Sequence, residues 1–256
     1  MKIDGKIVLI TGASEGIGAA CAAEFARAGA RLSLTARSES NLLKVGGAEA
    51  VITAGDLTSD DTRRRAVDRT LERFGAIDIL INNAGVGFYD PSWRAPMEEI
   101  RALMELNFFA VVAMTQLVVP HMRTRHSGMI VNVSSIGGKI PLPWMTIYSA
   151  SKYAVNALTE GLRMELRSSG VHAMTVCPGY VLTGFQQHVL RGQSPEKVQR
   201  ARRSAITPED CARAIRRGVE RDARTVLAPA AGWALVALAR LFPSIVESQM
   251  AGMIET

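Results

Sequence analysis

Short apolar runs bounded by turn residues alternate along this chain with segments of helical period, and few architectures accept that alternation. Ile7-Val8-Leu9-Ile10 reads as a strand, and Ala19 to Ala28 after it as a helix whose small side chains suit close packing on a sheet. The pattern returns at Leu32–Leu34, Ala50–Ile52, Ile77–Ile81, Met129–Val133 and Val171–Val176, with Thr225–Leu227 as a further strand. Strands separated by helices need crossover connections, so the sheet is expected to be parallel and covered by helices on both faces. The fold class is therefore α/β, a doubly wound parallel sheet of about seven strands. No linker, low-complexity tract or internal repeat divides the chain. Residues 1–227 read as one domain and 228–256 as an apolar helical extension.

In such a sheet, ligands bind beyond the carboxyl ends of the strands, near the point where strand order reverses. The loops there carry Thr11 to Gly18, Arg37, Asp56-Leu57, Asn82 to Gly85, Ser134-Ser135 and Pro178-Gly179. With 48% hydrophobic and 21% charged residues over 256 positions, the chain can bury a sizeable core, which excludes disordered and fibrous classes. Cys21, Cys177 and Cys211 are too scattered for a disulfide framework or a C-x-x-C metal site, and the start lacks the apolar run of a signal peptide; a cytoplasmic location is expected. His121, His126, His172 and His188 show no ligand spacing, so no metal is expected. Thirty basic against 24 acidic residues leave +6, but aromatics reach only 5%, and no nucleic-acid partner is expected.

The first strand runs into Thr11-Gly12-Ala13-Ser14-Glu15-Gly16-Ile17-Gly18, a G-x-x-x-G-x-G turn opening a helix. Glycines let backbone approach a ligand, and the helix N-terminus offers unpaired N–H donors with a partial positive charge, which suits a pyrophosphate. On its own such a turn also has a purely structural reading, as a strand-ending turn. After the second strand, where an acidic residue would hold the ribose of NAD, this chain has Arg37. A guanidinium pairs with a 2′-phosphate that a carboxylate would repel, so NADP(H) is expected over NAD(H); Glu15 inside the turn works against that choice. The plain alternative makes Arg37 a solvated loop charge.

Tyr148 and Lys152 stand four apart in a helical segment, hence on one face, about 6 Å apart along the axis. An ammonium beside a phenol favours the phenolate, and lowering a tyrosine from ~10 to ~7 takes roughly 4 kcal/mol. Ser135, at the end of the strand from Met129, offers a hydroxyl to hold a carbonyl oxygen while Tyr148 donates a proton. Ser134 is an alternative for that role, and either serine also reads as a loop-capping hydroxyl.

Together, Thr11-Gly12-x-x-x-Gly16-Ile17-Gly18, Asn82-Asn83-Ala84-Gly85, Asn107, Ser135, Tyr148-x-x-x-Lys152 and Pro178-Gly179 resemble the single-domain short-chain dehydrogenases/reductases, from about residue 5 to 227. The resemblance implies a Rossmann-type domain, with Gly12, Ser14, Gly16, Ile17 and Gly18 around the pyrophosphate and Asp56-Leu57 flanking the adenine. It places Asn83-Ala84-Gly85 beside the adenine ribose, and Pro178, Gly179 and Thr183 at the nicotinamide end. It makes Tyr148 the general acid/base, Lys152 its pKa modulator and ribose ligand, and Ser135 the substrate-orienting hydroxyl. Asn107 is implied to hold a water on the proton relay. The Tyr-to-Lys interval is shorter than in related enoyl reductases, so the implied reaction interconverts a ketone or aldehyde and an alcohol on a small-molecule substrate. The competing reading is a cofactor-gated NADP(H)-sensing binding protein without turnover.

Residues 183–206 resemble the family's mobile substrate loop. Arg191 to Arg224 carry ten basic residues against five acidic; the sharper readings are an anionic carrier or membrane surface, the blander one a solvated helix face capped at Thr207. Beyond Ala228-Pro229, the stretch Gly232 to Pro243 is too short to span a bilayer. Leu235, Leu238 and Phe242 share one face, so a helix covering the substrate cleft or a partner subunit is expected first and peripheral membrane contact second. An apolar substrate such as a lipid-like ketone or steroid suits both. The apolar helix from about Glu99 to Arg125 and the Tyr148 helix resemble the family's four-helix subunit contact, implying a homodimer or homotetramer.

Overall fold

Strands from all along the chain assemble into one parallel sheet in the computed structural model, which describes residues 1–193 and 205–251. They are β1 (Ile7–Thr11), β2 (Arg31–Ala36), β3 (Val51–Ala54), β4 (Ile79–Asn82), β5 (Gly128–Val133), β6 (Val171–Pro178) and β7 (Thr225–Ala228). Their order is β3-β2-β1-β4-β5-β6-β7. The helices are α1 (Gly16–Arg27), α2 (Glu39–Gly46), α3 (Asp60–Phe74), α4 (Met97–Met104), α5 (Ala110–Thr124), α6 (Thr146–Glu165), α7 (Pro208–Glu220), α8 (Gly232–Leu241) and α9 (Pro243–Ala251).

Successive side chains of a strand point to opposite faces, and here both faces are covered. Val8 and Ile10 of β1 join the core shared with α1 and α7, whereas Leu9 between them joins the core shared with α3 and α5. The same division separates Ile79 and Ile81 from Leu80 in β4. This is why the strands read as unbroken apolar runs. After β1 the chain builds β2 and β3 on one side and then crosses to β4 on the other, so the strand order reverses at β1 and β4. The cleft opens there.

Several boundaries differ from expectation. Ile77 and Asp78 precede β4 rather than starting it. The Asp78 carboxylate accepts the Ile7 amide at 2.9 Å and pairs with Arg125 at 2.9 Å, which ties this turn to β1 and to the end of α5. The expected helix from Glu99 to Arg125 runs Met97–Thr124 with a π-helical turn, Glu105–Phe109, between α4 and α5. By length and composition that stretch would suffice to cross a membrane. In this structure its Ala110, Met114, Val118 and Met122 pack into the core. α7 begins as expected at Thr207, whose hydroxyl and Asp210 form a reciprocal capping box.

Within the basic stretch, Arg191 pairs with Asp90 at 2.6 Å and Glu99 at 3.2 Å, Arg213 with Asp210, and Arg216 with Glu24 at 2.8 Å. Lys197, Arg200, Arg202 and Arg203 lie outside the described residues.

Candidate active site

The turn after β1 wraps tightly because two of its glycines leave no room for a side chain. Gly12 has φ +63°, and a Cβ there would stand 2.8 Å from Ala84 Cα; a Cβ on Gly18 would collide with the Gly12 carbonyl and come within 2.6 Å of Asn83 Nδ2. Asn83 fastens the turn, its amide donating to Thr11 O and Gly12 O at 3.0 Å each, while Thr11 Oγ1 accepts the Asn83 and Ala84 amides. Asn83 thus builds the cradle from behind. Glu15 is the N-cap of α1 and its side chain caps nothing, so the first-turn N–H groups of α1 remain for an anion. Backbone glycines, a free helix N-terminus and adjoining polar loops fit a dinucleotide pyrophosphate. Ser14, Gly16 and Ile17 line the same cleft.

Arg37 follows β2 directly and stands exposed on the cleft wall beside Ser38. Asp56 accepts the Thr58 amide and hydroxyl at 2.9 Å each, which closes its loop, and Leu57 is buried beside it. These loops, with Ala84 and Gly85, bound one end of a cleft of about 1010 Å³, large for a small-molecule site.

The other end is built on α6. Tyr148, Lys152, Asn156 and Thr159 share its buried stripe. The neighbouring serines divide their work, as residues in extended chain point to opposite sides. Ser134 Oγ donates to Lys152 O at 3.0 Å and pins the helix, whereas Ser135 hydrogen-bonds the Tyr148 phenol and accepts the Gly137 amide at 3.0 Å. The choice between them thus falls to Ser135. Asn107 is wholly buried in the π-helical turn; its amide brackets Val86, accepting from N at 2.9 Å and donating to O at 3.0 Å, and donates to Ser151 Oγ at 3.2 Å. A Cβ on Gly85 would lie 3.1 Å from Asn107 Oδ1 and 3.3 Å from Lys152 Nζ, so these three residues converge.

Burial dominates the electrostatics at both groups. Burial pushes the phenol above its ordinary value, opposed by the Ser135 hydrogen bond. Lys152 Nζ lies 5.7 Å from the ring centroid, donates to Val133 O at 3.1 Å, and is itself pushed down by burial to about 8. Desolvation disfavours both charged forms more than their separation allows them to help each other.

Pro178 ends β6, and Gly179 N donates to Ala228 O at 2.8 Å, which sets the start of the far wall. Thr183 Oγ1 accepts the Phe185 amide and caps a short 3₁₀ turn, Gly184–Gln187, laid across the cleft. Phe185 meets Tyr148 edge-on, centroids 5.9 Å apart. Around the phenol the walls are Val86, Tyr89, Leu142, Met145 and Phe185; of these only Phe185 falls in a segment singled out from the sequence, the loop of 183–206, since the others carry no motif. The expected loop of 183–206 is described to residue 193. Of the two coverings expected first for the tail, the cleft is not the one the structure has: no described residue from 228 to 251 lines it. Instead Val236 of α8 packs on Ile140, Cys177 and Leu227 behind the serine loop, because β7 delivers the chain to that side.

A family model described as short chain dehydrogenase matches residues 6–194. A dehydrogenase/reductase SDR family protein 7-like from Anopheles gambiae is 34% identical over 95% of this chain and 81% of its own length. The crystal structure of a short chain dehydrogenase/reductase SDR from Burkholderia phymatum in complex with NAD superposes with a TM-score of 0.87, at 29% identity and 96% coverage of each chain. A short-chain dehydrogenase from Sphingobium yanoikuyae in complex with NADPH superposes with a TM-score of 0.78, at 31% identity over 92% of this chain and 94% of that one.

Proposed function

The chain belongs to the short-chain dehydrogenase/reductase family, oxidoreductases acting on CH–OH and C=O groups, and from that premise we propose that it reduces an apolar ketone or aldehyde with NADPH. The observation that carries the reading is the buried Tyr148 phenol beside Ser135 in the cleft, with Lys152 one turn along α6. Such a phenol can give its proton to a carbonyl oxygen in reduction and take it back in the reverse oxidation. Ser135 and Tyr148 hold the substrate oxygen from two sides, and Tyr148 transfers its proton to that oxygen as charge develops on it. Lys152, near enough to bind a ribose hydroxyl, replaces the proton through the Asn107 region. The nicotinamide, when bound, supplies the hydride. Val86, Leu142, Met145 and Phe185 exclude water and favour a substrate without charge near its carbonyl.

Arg37 supports NADP(H) over NAD(H), since a planar guanidinium at the end of β2 pairs with a 2′-phosphate. Exposed Phe109 of the π-helical turn and Tyr153 and Met164 of α6 support an assembly of copies, and three buried free cysteines suit a reducing, cytoplasmic setting. The exposed apolar face of α8 and α9 allows membrane contact as the alternative to a subunit contact. NADPH oxidation followed across a panel of ketones tests the reaction. Tyr148→Phe should reduce kcat/KM by at least ~100-fold. Arg37→Ala should weaken NADPH by roughly 10- to 100-fold while leaving NADH within about twofold. Turnover retained by Tyr148→Phe would remove the phenol from the chemistry, and equal losses for both dinucleotides would remove the preference.

A further inference from the structure

One part of the cradle has no role so far: an acid. Glu15 is the N-cap of α1, and its carboxylate stands at the helix end that would receive a dinucleotide's phosphates. It is the lone acidic residue of the turn Thr11 to Gly18, and a negative charge there opposes the ligand. The structure brings it a partner from the opposite wall. His188 Nε2 lies 2.7 Å from Glu15 Oε1, with side-chain exposures of 41% and 51%.

The contact belongs to a wider seat. Thr183 Cγ2 is 3.2 Å from where a Cβ on Gly16 would stand, and Gly184 approaches Glu15 Oε2 in the same way at 3.3 Å. The Gly184–Gln187 turn therefore rests on the first turn of α1. Three residues before His188, Phe185 meets the catalytic phenol. Beyond it, Leu190 N donates to Gly87 O at 3.0 Å and Arg191 pairs with Asp90, which holds that flank. One short segment thus touches the phosphate cradle with His188 and the reacting end with Phe185.

We propose that His188 is a cofactor-binding residue: its Nε2, 2.7 Å from Glu15 Oε1, holds the carboxylate by a hydrogen bond so that it is turned from the cradle, and the same contact seats the Phe185 turn on the first turn of α1. Dinucleotide affinity then depends on the pair rather than on either residue alone. The proposal rests on the reading of the cleft as a dinucleotide site and adds to it two residues outside the family's motifs.

A double-mutant cycle on NADPH binding tests it, read by the fluorescence of the bound nicotinamide with no turnover required. His188→Ala should raise the NADPH Kd about five- to tenfold, because the Glu15 carboxylate loses the hydrogen bond that holds it from the anion site. In a Glu15→Gln background the same substitution should change Kd by less than about twofold. Melting temperatures should stay within about two degrees of wild type, since both side chains are half exposed. Equal losses in both backgrounds, or no loss in either, overturn the proposal while leaving the enzyme reading intact. Wild-type protein that binds neither NADPH nor NADH overturns both.

Discussion

In the proposed reaction Lys152 is expected to set the upper pH limit, because burial brings its ammonium down to about 8 while moving the Tyr148 phenol up. Below that value the lysine is charged and can recharge the phenol; above it the lysine is neutral although Tyr148 still carries its proton. The sign follows directly: carbonyl reduction should be flat on the acidic side and decline as pH rises through about 8. We expect kcat/KM to fall by about tenfold per pH unit beyond that point. Lys152→Arg keeps the charge but does not titrate in this range, so it should lose that limb even at a lower overall rate. The same limb in the arginine variant would assign it to another group. The motif made the shared placement of both residues legible. Their protonation was not legible, since it depends on how dry α6 is against β5 and on a 5.7 Å separation that spacing along a helix cannot supply.

Elements fix where those residues stand, and the clearest case is a polar chain crossing from the sheet to α6. Asn82 Nδ2 donates to Asn132 Oδ1 at 2.8 Å, and Asn132 Nδ2 donates to Thr159 Oγ1 at 2.9 Å. All three are buried, and Thr159 stands two turns beyond Lys152 on the buried stripe of α6. Apolar packing tolerates sliding, whereas such bonds set register. Asn132→Leu removes both bonds, leaving Asn82 Nδ2 without its acceptor while Thr159 keeps its bond to Val155 O, and should cost about 1–3 kcal/mol, lowering Tm by several degrees; a Tm within about a degree of wild type would deny the chain that role. The strands were legible because burial on both faces leaves no polar position to interrupt them. This ladder was not, since its members lie 50 and 27 residues apart in sequence. The π-helical turn escaped for the same reason: its extra residue serves the bonds of Asn107 to Val86 and Ser151, which no local pattern encodes.

At the scale of the whole molecule, the surface is uneven in a way a lone monomer seldom tolerates. Trp233, Leu235, Leu238, Leu241, Phe242 and Ile245 are between 41% and 72% exposed, all within α8, α9 and the residue joining them. The shared face of Leu235, Leu238 and Phe242 was legible from helical spacing; its distance from the cleft was not, because the direction in which β7 releases the chain is a property of the sheet. This face adjoins a second one, as the Arg240 charge acts on exposed Tyr153 of α6. Charge argues for a second copy over an anionic bilayer: the described part of the extension carries Arg240 balanced by Glu247, with no basic fringe for lipid headgroups. Joint substitution Leu238→Glu and Phe242→Glu should therefore yield a lighter species in sedimentation at micromolar protein. Tm and kcat/KM should hold, since these side chains are exposed and line no part of the cleft. An unchanged mass would refute the subunit contact, and wild type that floats with anionic vesicles while the variant does not would assign the face to a membrane surface instead.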